Sequence, residues 1–179
     1  FLRFPRETLQ LKGGDCDDLT SLLAALYESA GIPTYLMDGP GHIALLFDSG
    51  ISEDEAAEIG LNVSDTVPCG DSVCIPLEVT KVGSEFITAW SEGSQRFQRW
   101  NARNEAVVIP VSEAWDVYKP STLDWPSATL PAPAVGDIDR VYPVEIEKLA
   151  KENAERRAKE YVDRTRKIPA DADAYNKLG

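Results

Sequence analysis

The sequence predicts an α+β fold in which one amphipathic helix packs on an antiparallel sheet. Leucines recur at helical spacing between residues 19 and 26 and form one apolar stripe. Two short apolar runs follow at 34–37 and 42–47, and only the turn-forming segment 38–41 separates them. This order predicts a helix followed by two adjacent strands, and the apolar character of 42–47 predicts burial on both faces of the sheet.

The first helix has clear start and stop signals. Asp15 is a favourable N-cap, and Asp18, three residues later, completes a pattern that resembles a capping box. Gly31 and Pro33 end the helix. The single cysteine of this segment, Cys16, therefore lies in the first helical turn, on or near the side that faces the core.

Later segments extend the sheet and add helices. We expect an acidic helix at 52–59, a hairpin bend at Asp71–Ser72 between Cys69 and Cys74, a strand at 75–79, a helical segment at 85–91 and a strand at 106–111. Together these elements form a core domain over residues 1–118.

The composition changes after the core. Residues 119–142 contain four prolines between Ser, Thr and Ala, which predicts an extended connector. Pro143 is expected to open a C-terminal helix over 143–167, with an apolar side and mostly charged other positions, either lying on the domain or binding a partner. Residues 168–179 resemble the start of a tetratricopeptide repeat, with Tyr175, Leu178 and Gly179 at its aromatic, leucine and glycine positions. The match arises either from truncation of a repeat protein, whose missing repeats would bind a protein partner, or from chance.

Charge excludes two classes of partner. Thirty acidic residues against eighteen basic ones give a formal net charge of −12. A surface that holds nucleic acid or anionic lipid needs a positive field, so neither partner is expected. No apolar run approaches the roughly 18–20 residues of a membrane span, so no membrane insertion is expected.

Two residues could begin a covalent mechanism. A thiol at a helix start, as at Cys16, is close to the positive end of the helix dipole and to free N–H groups, both of which favour thiolate and could hold an oxyanion. The acidic neighbours Asp15, Asp17 and Asp18 oppose this effect. His42, the only histidine of the chain, opens a strand directly after Gly39-Pro40-Gly41, where backbone can approach a ligand closely.

Three segments of the chain resemble the bacterial branch of the transglutaminase-like superfamily, whose fold is papain-like. They are Lys12-Gly13-Gly14-Asp15-Cys16-Asp17-Asp18-Leu19, Gly39-Pro40-Gly41-His42 and Ile75-Pro76-Leu77-Glu78-Val79-Thr80. The resemblance covers residues 4–118 and implies a nucleophilic Cys16, a histidine base His42 and an orienting carboxylate Glu78. The family more often has Asp in the third place. Gln10 is a candidate hydrogen-bond donor to the oxyanion, in addition to the backbone N–H of Cys16.

The implied activity is that of a cysteine peptidase or amidase, or of a transglutaminase, acting on a peptide or protein amide. It needs no cofactor and no metal. The competing hypothesis is a silent member of the superfamily that acts as a binding or scaffold module of a larger repeat-containing protein. Asp48 is a rival for the third place, but six extended residues separate it from His42, a span of about 20 Å.

Two further features have alternative interpretations. Asp15, Asp17 and Asp18 fit helix capping better than a hard-cation site, which needs about six oxygens. Cys69 and Cys74 either form a disulfide across the hairpin or remain two thiols. A disulfide would indicate an extracytoplasmic, periplasmic location.

Overall fold

The computed structural model describes residues 2–119 and 132–166. Six helices and five strands occur in this part of the chain. They are α1 (Pro5–Leu11), α2 (Cys16–Ser29), β1 (Thr34–Gly39), β2 (His42–Asp48), α3 (Glu53–Glu58), β3 (Val67–Cys69), β4 (Ser72–Leu77), α4 (Phe86–Asn101), β5 (Val107–Pro110), α5 (Val111–Val117) and α6 (Val135–Arg166), with short 3₁₀ turns at Val63–Asp65 and Val79–Lys81.

The predicted α+β class is confirmed. The five strands form one sheet in the order β3-β4-β2-β1-β5, and every neighbouring pair is antiparallel. Gly39 pairs with His42 across the tight turn that joins β1 to β2. Leu45 of β2 pairs with Leu77 of β4, and this register brings the start of β2 near the residues that follow β4.

The central strand β2 is buried on both faces, as its apolar run predicts. Leu45 packs with Ala24 of α2, whereas Leu46 packs on the opposite side with Trp100 of α4. Alternate side chains of a strand point to opposite faces, so one apolar run contributes to both layers. The sheet therefore lies between α2 and α4, and both helices are available to contribute side chains at the end of β2.

The helix bearing Cys16 begins and ends where the sequence predicts. The Asp15 carboxylate accepts a hydrogen bond from the backbone N–H of Asp18, which is the capping contact expected at this position. Gly31 follows the helix in the left-handed region, at a φ of +78°. The helix is therefore fixed at both ends by local sequence signals.

The β3–β4 hairpin joins Cys69 and Cys74 in a disulfide, with their Cα atoms 5.8 Å apart. The bend lies at Gly70–Asp71 rather than at Asp71–Ser72, because Ser72 already pairs with Cys69. Gly70 has a φ of +66°, which a glycine adopts without strain.

Several boundaries differ from those predicted. The strand after the hairpin ends at Leu77, and α4 continues to Asn101, ten residues beyond the predicted segment 85–91. The short helices α1 and α5 were not predicted. The strand predicted at 106–111 is β5, which ends at Pro110, and Val111 begins α5.

The C-terminal helix begins at Val135, so residues 135–142 are helical rather than part of the predicted connector 119–142. Pro143 lies inside the helix instead of opening it. A proline in a helix leaves the carbonyl four residues earlier without a donor, and because this segment is exposed, that carbonyl can bond to water. The predicted repeat start at 168–179 lies outside the described residues.

None of the helices within residues 2–119 and 132–166 combines the length and the apolar character that crossing a membrane requires.

Candidate functional site

Helix α2 places Cys16 against the start of β2. The thiol belongs to the first residue of the helix, one turn before the buried Thr20. Thr20 donates a hydrogen bond through Oγ1 to the carbonyl of Ile43, at 3.4 Å. Residues four apart lie on one helix face, so this contact directs the Cys16 face toward the residue next to His42.

Cys16 and His42 line one cavity of about 710 Å³. Its apolar wall includes Leu36, Ile43 and Ile109, and three carboxylates, those of Asp15, Asp17 and Asp38, lie around it. The complete lining consists of Leu2, Asp15, Cys16, Asp17, Thr20, Ser21, Leu36, Asp38, Gly39, Gly41, His42, Ile43 and Ile109. The structure therefore brings two of the three predicted residues to one concave surface.

The imidazole of His42 forms a hydrogen bond with Glu78, the third predicted residue. His42 Nε2 lies 3.0 Å from both Oε1 and Oε2 of Glu78. A carboxylate accepts hydrogen bonds only, so Nε2 is the protonated ring nitrogen of the pair. Nδ1 is then the nitrogen that remains available to a thiol.

Glu78 is buried, with 1% of its surface exposed, and it directly follows β4. Its Oε1 accepts hydrogen bonds from Oγ1 of Thr80, at 2.6 Å, and from the Thr80 backbone N–H, at 3.2 Å. Burial raises the pKa of Glu78, but the Thr80 hydrogen bonds and the nearby charges of His42 and Arg96 outweigh it, so the net pKa is lowered. The side chain is therefore ionised at neutral pH.

Arg96 of α4 contacts the same carboxylate. Its Nε lies 2.7 Å from Oε2 of Glu78. The guanidinium also lies over the ring of Trp100, 5.5 Å from its centroid, and that ring is tilted against His42 at a centroid distance of 6.2 Å. Gly39 makes room for Trp100, since a Cβ at this position would come within 2.4 Å of the indole.

The thiol of Cys16 donates to Asp17, with Sγ 3.2 Å from Oδ1. Burial raises the pKa of Cys16, a backbone hydrogen bond from Ile43 lowers it, and the hydrogen bond and charge of Asp17 and the charge of Asp15 raise it, for a net increase. Cys16 and His42 both lie in the described part of the chain, and no hydrogen bond joins the sulfur to the imidazole. Such contacts often tighten only when substrate binds.

The three aspartates at the helix start each have another partner. Asp15 caps the helix, and Asp17 accepts from the thiol. Asp18 is buried and accepts from the backbone N–H of Arg3, at 2.8 Å, and from the guanidinium of Arg3, at 2.7 Å. Within residues 2–119 and 132–166, no group of three or more His, Cys, Asp or Glu is arranged to hold a metal ion.

Two other residues weighed from the sequence lie elsewhere. Asp48 accepts from Oγ of Ser72, at 2.6 Å, and from the backbone N–H of Gly50, at the far end of β2 from His42. Gln10 is exposed on α1 and is not one of the lining residues of the cavity. The structure therefore does not bring Gln10 to the thiol, because α1 presents this position to solvent.

Sequence reasoning did not identify Arg96 or Trp100, because the predicted helix ended at 91. An available signal was the continued apolar spacing at Trp90, Gly93, Phe97 and Trp100, which extends the helix and places Arg96 one turn after Gly93.

Comparison of the chain with protein-family models, with curated proteins and with solved structures finds no match in any of the three.

Proposed function

We propose that this domain is a transglutaminase-like cysteine peptidase or amidase that acts on peptide or protein amides. The observation that supports the proposal most strongly is the hydrogen bond from His42 to Glu78 behind a cavity that Cys16 and His42 both line. The sequence resemblance adds the order of the three residues along the chain.

In the proposed mechanism, Sγ of Cys16 attacks the amide carbonyl carbon while His42 takes the thiol proton on Nδ1. The carbonyl π electrons move to the oxygen and form a tetrahedral oxyanion. When this intermediate collapses, the C–N bond breaks, and His42 returns its proton to the leaving amine. The product is a thioester on Cys16.

The thioester is then resolved by one of two acceptors. Water, deprotonated by His42, gives a carboxylic acid and regenerates the thiol, which is peptidase or amidase chemistry. A primary amine gives a new amide instead, which is transglutaminase chemistry. Glu78 keeps the imidazole in the Nε2–H tautomer through both halves of the reaction.

The oxyanion is stabilised by the start of α2. In the helix backbone, the N–H of Leu19 donates to the carbonyl of Asp15. The Asp15 carboxylate accepts a hydrogen bond from the N–H of Asp18. The N–H groups of Cys16 and Asp17 precede these contacts and are directed outward along the helix axis. Such groups stabilise negative charge beside the attacking sulfur.

Peptidyl aminomethylcoumarin amides test the proposal. Wild-type protein is expected to release the fluorophore, and Cys16→Ala should reduce the rate to that of the buffer. Dansylcadaverine added with a glutamine-containing protein distinguishes transfer from hydrolysis, because only transfer attaches this fluorescent amine covalently to the glutamine-containing protein. Equal rates for wild type and Cys16→Ala would refute the proposed nucleophile.

One observation favours the silent binding module as a second candidate. The thiol donates to Asp17, and its pKa is raised, so at neutral pH the sulfur is protonated in this arrangement. A silent module predicts that Cys16 reacts with alkylating agents as an isolated thiol does, independently of His42.

A further inference from the structure

We propose that Arg96 is a positioning residue for this site, holding the Glu78 carboxylate in the plane in which it accepts the hydrogen bond from Nε2–H of His42. The inference rests on the proposed function and adds a residue to it. Arg96 itself does not line the cavity, and in this role it acts only through Glu78.

Helix α4 approaches the end of β4 closely enough for Arg96 to reach Glu78. The backbone N–H of Glu78 donates to the carbonyl of Ala89, at 2.9 Å. Gly93 lies against the same stretch, and a Cβ on it would come within 2.5 Å of the Pro76 carbonyl oxygen and 2.9 Å of Glu78 N. Arg96, three residues after Gly93, is on the same face of the helix.

The two oxygens of Glu78 are fixed by different parts of the chain. Thr80 holds Oε1 from two residues away, and Arg96 holds Oε2 from α4. One fixed oxygen leaves the carboxylate free to turn, whereas donors on both oxygens fix its plane. A glutamate side chain has one more rotatable bond than an aspartate side chain. The contact from Arg96 therefore restricts more conformational freedom at Glu78 than it would at an aspartate.

Trp100 keeps the Arg96 side chain in place. The residues are four apart on α4, and the guanidinium lies over the buried indole. The same indole is adjacent to His42, so the Trp100 ring contacts both His42 and Arg96. Displacement of Arg96 would therefore be transmitted to the orientation of the imidazole.

The chain has one histidine, so its ring nitrogens can be observed without ambiguity. Long-range ¹H–¹⁵N correlation spectra, recorded at a pH where the ring is neutral, report which nitrogen bears the proton. Arg96→Gln removes the cationic donor. Arg96→Met also removes the cationic donor but keeps an unbranched side chain against Trp100. This variant replaces Arg96→Gln in the experiment if the glutamine variant does not fold. The exposed Arg99 on the same helix gives the matched control Arg99→Gln.

Wild type and Arg99→Gln are expected to have the Nε2–H tautomer, and Arg96→Gln and Arg96→Met a mixture of tautomers. Alkylation of Cys16 by iodoacetamide should also slow by about tenfold or more in the two Arg96 variants, as expected when a base is misplaced. If both variants keep the wild-type tautomer, the positioning role of Arg96 is overturned. A changed tautomer with unchanged alkylation would instead support that role and contradict the proposed function.

Discussion

His42 Nε2 lies 3.0 Å from both carboxylate oxygens of Glu78, although the two residues are 36 positions apart in the sequence. The antiparallel register of β2 and β4, in which Leu45 opposes Leu77, brings them together. Since β2 buries one set of side chains with Ala24 of α2 and the other with Trp100 of α4, a register slip would exchange the two sets. The packing of the core therefore fixes the geometry of the site.

The close approach of α4 to β4 should be sensitive to a single methyl group. In Gly93→Ala, the added Cβ would meet the backbone at Pro76 and Glu78, and backbone atoms cannot move aside as a flexible side chain can. We expect a loss of about 1–3 kcal/mol in the free energy of unfolding, measured by urea denaturation, together with slower alkylation of Cys16.

Gly136→Ala is the matched control for this substitution. Gly136 also lies in a helix, but nothing is within 4 Å of a Cβ built on it. Alanine is a better helix former, so this variant should be neutral or more stable by up to about 1 kcal/mol. Equal stabilities for the two variants would show that α4 does not depend on close contact at Gly93.

Local signals were sufficient to predict the elements nearest the site. The Asp15 cap and Gly31 bound α2, and the turn residues before His42 define the β1–β2 hairpin. The proximity of Glu78 to His42 was predicted from family resemblance and not from spacing, because strand register depends on packing between distant segments. For Cys69 and Cys74 the sequence allows either a disulfide or two thiols, since pairing requires a geometry that sequence alone does not give.

Long-range contacts account for what the sequence did not predict. The contact from Arg96 to Glu78 joins α4 to the end of β4, and the ion pair from Arg3 to Asp18 joins the N-terminal segment to α2. The sequence predicts that the C-terminal helix starts at Pro143, whereas the exposed helix α6 starts at Val135 and continues through this proline. Propensity rules describe local preference, and these features depend on neighbours in space.

Neutralising Asp17 should make Cys16 more reactive. The Asp17 carboxylate raises the pKa of Cys16 through its hydrogen bond and its charge, in addition to the effect of burial. Asp17→Asn should therefore lower this pKa and speed alkylation by iodoacetamide between pH 7 and 8. The rate is followed by mass spectrometry, with the exposed Asp54→Asn on α3 as control. If the midpoint of the alkylation rate plotted against pH is the same in wild type and Asp17→Asn, Asp17 does not influence the pKa of the thiol in solution.

Acid should destabilise the domain through two buried carboxylates. Burial opposes ionisation of Glu78, but its hydrogen bonds and charged neighbours lower its net pKa below the ordinary 4.5. The hydrogen bond from the Arg3 backbone and the Arg3 charge lower the pKa of Asp18 below 3.8. The unfolded chain then binds more protons, so the stability that these groups contribute is present above the ordinary values and lost as pH falls through the lowered ones.

Urea midpoints measured from pH 7 to pH 2 would test this dependence. Wild type should lose stability most steeply below about pH 4.5, and Glu78→Gln should be less stable at pH 7 but have a shallower slope in acid. The same change at the exposed Glu53 should leave the slope unaltered. A wild-type slope that Glu78→Gln does not reduce would contradict the ionised, hydrogen-bonded state of Glu78.

The most direct measurement of the central claim is the rate at which iodoacetamide alkylates Cys16 at pH 7 in wild type and in His42→Asn. Cys69 and Cys74 are bonded to each other, so modification reports on Cys16. If His42 takes the thiol proton, the rate should fall by at least about tenfold in His42→Asn. Equal rates in the two proteins, each following the titration of an isolated thiol, would contradict a cysteine–histidine site.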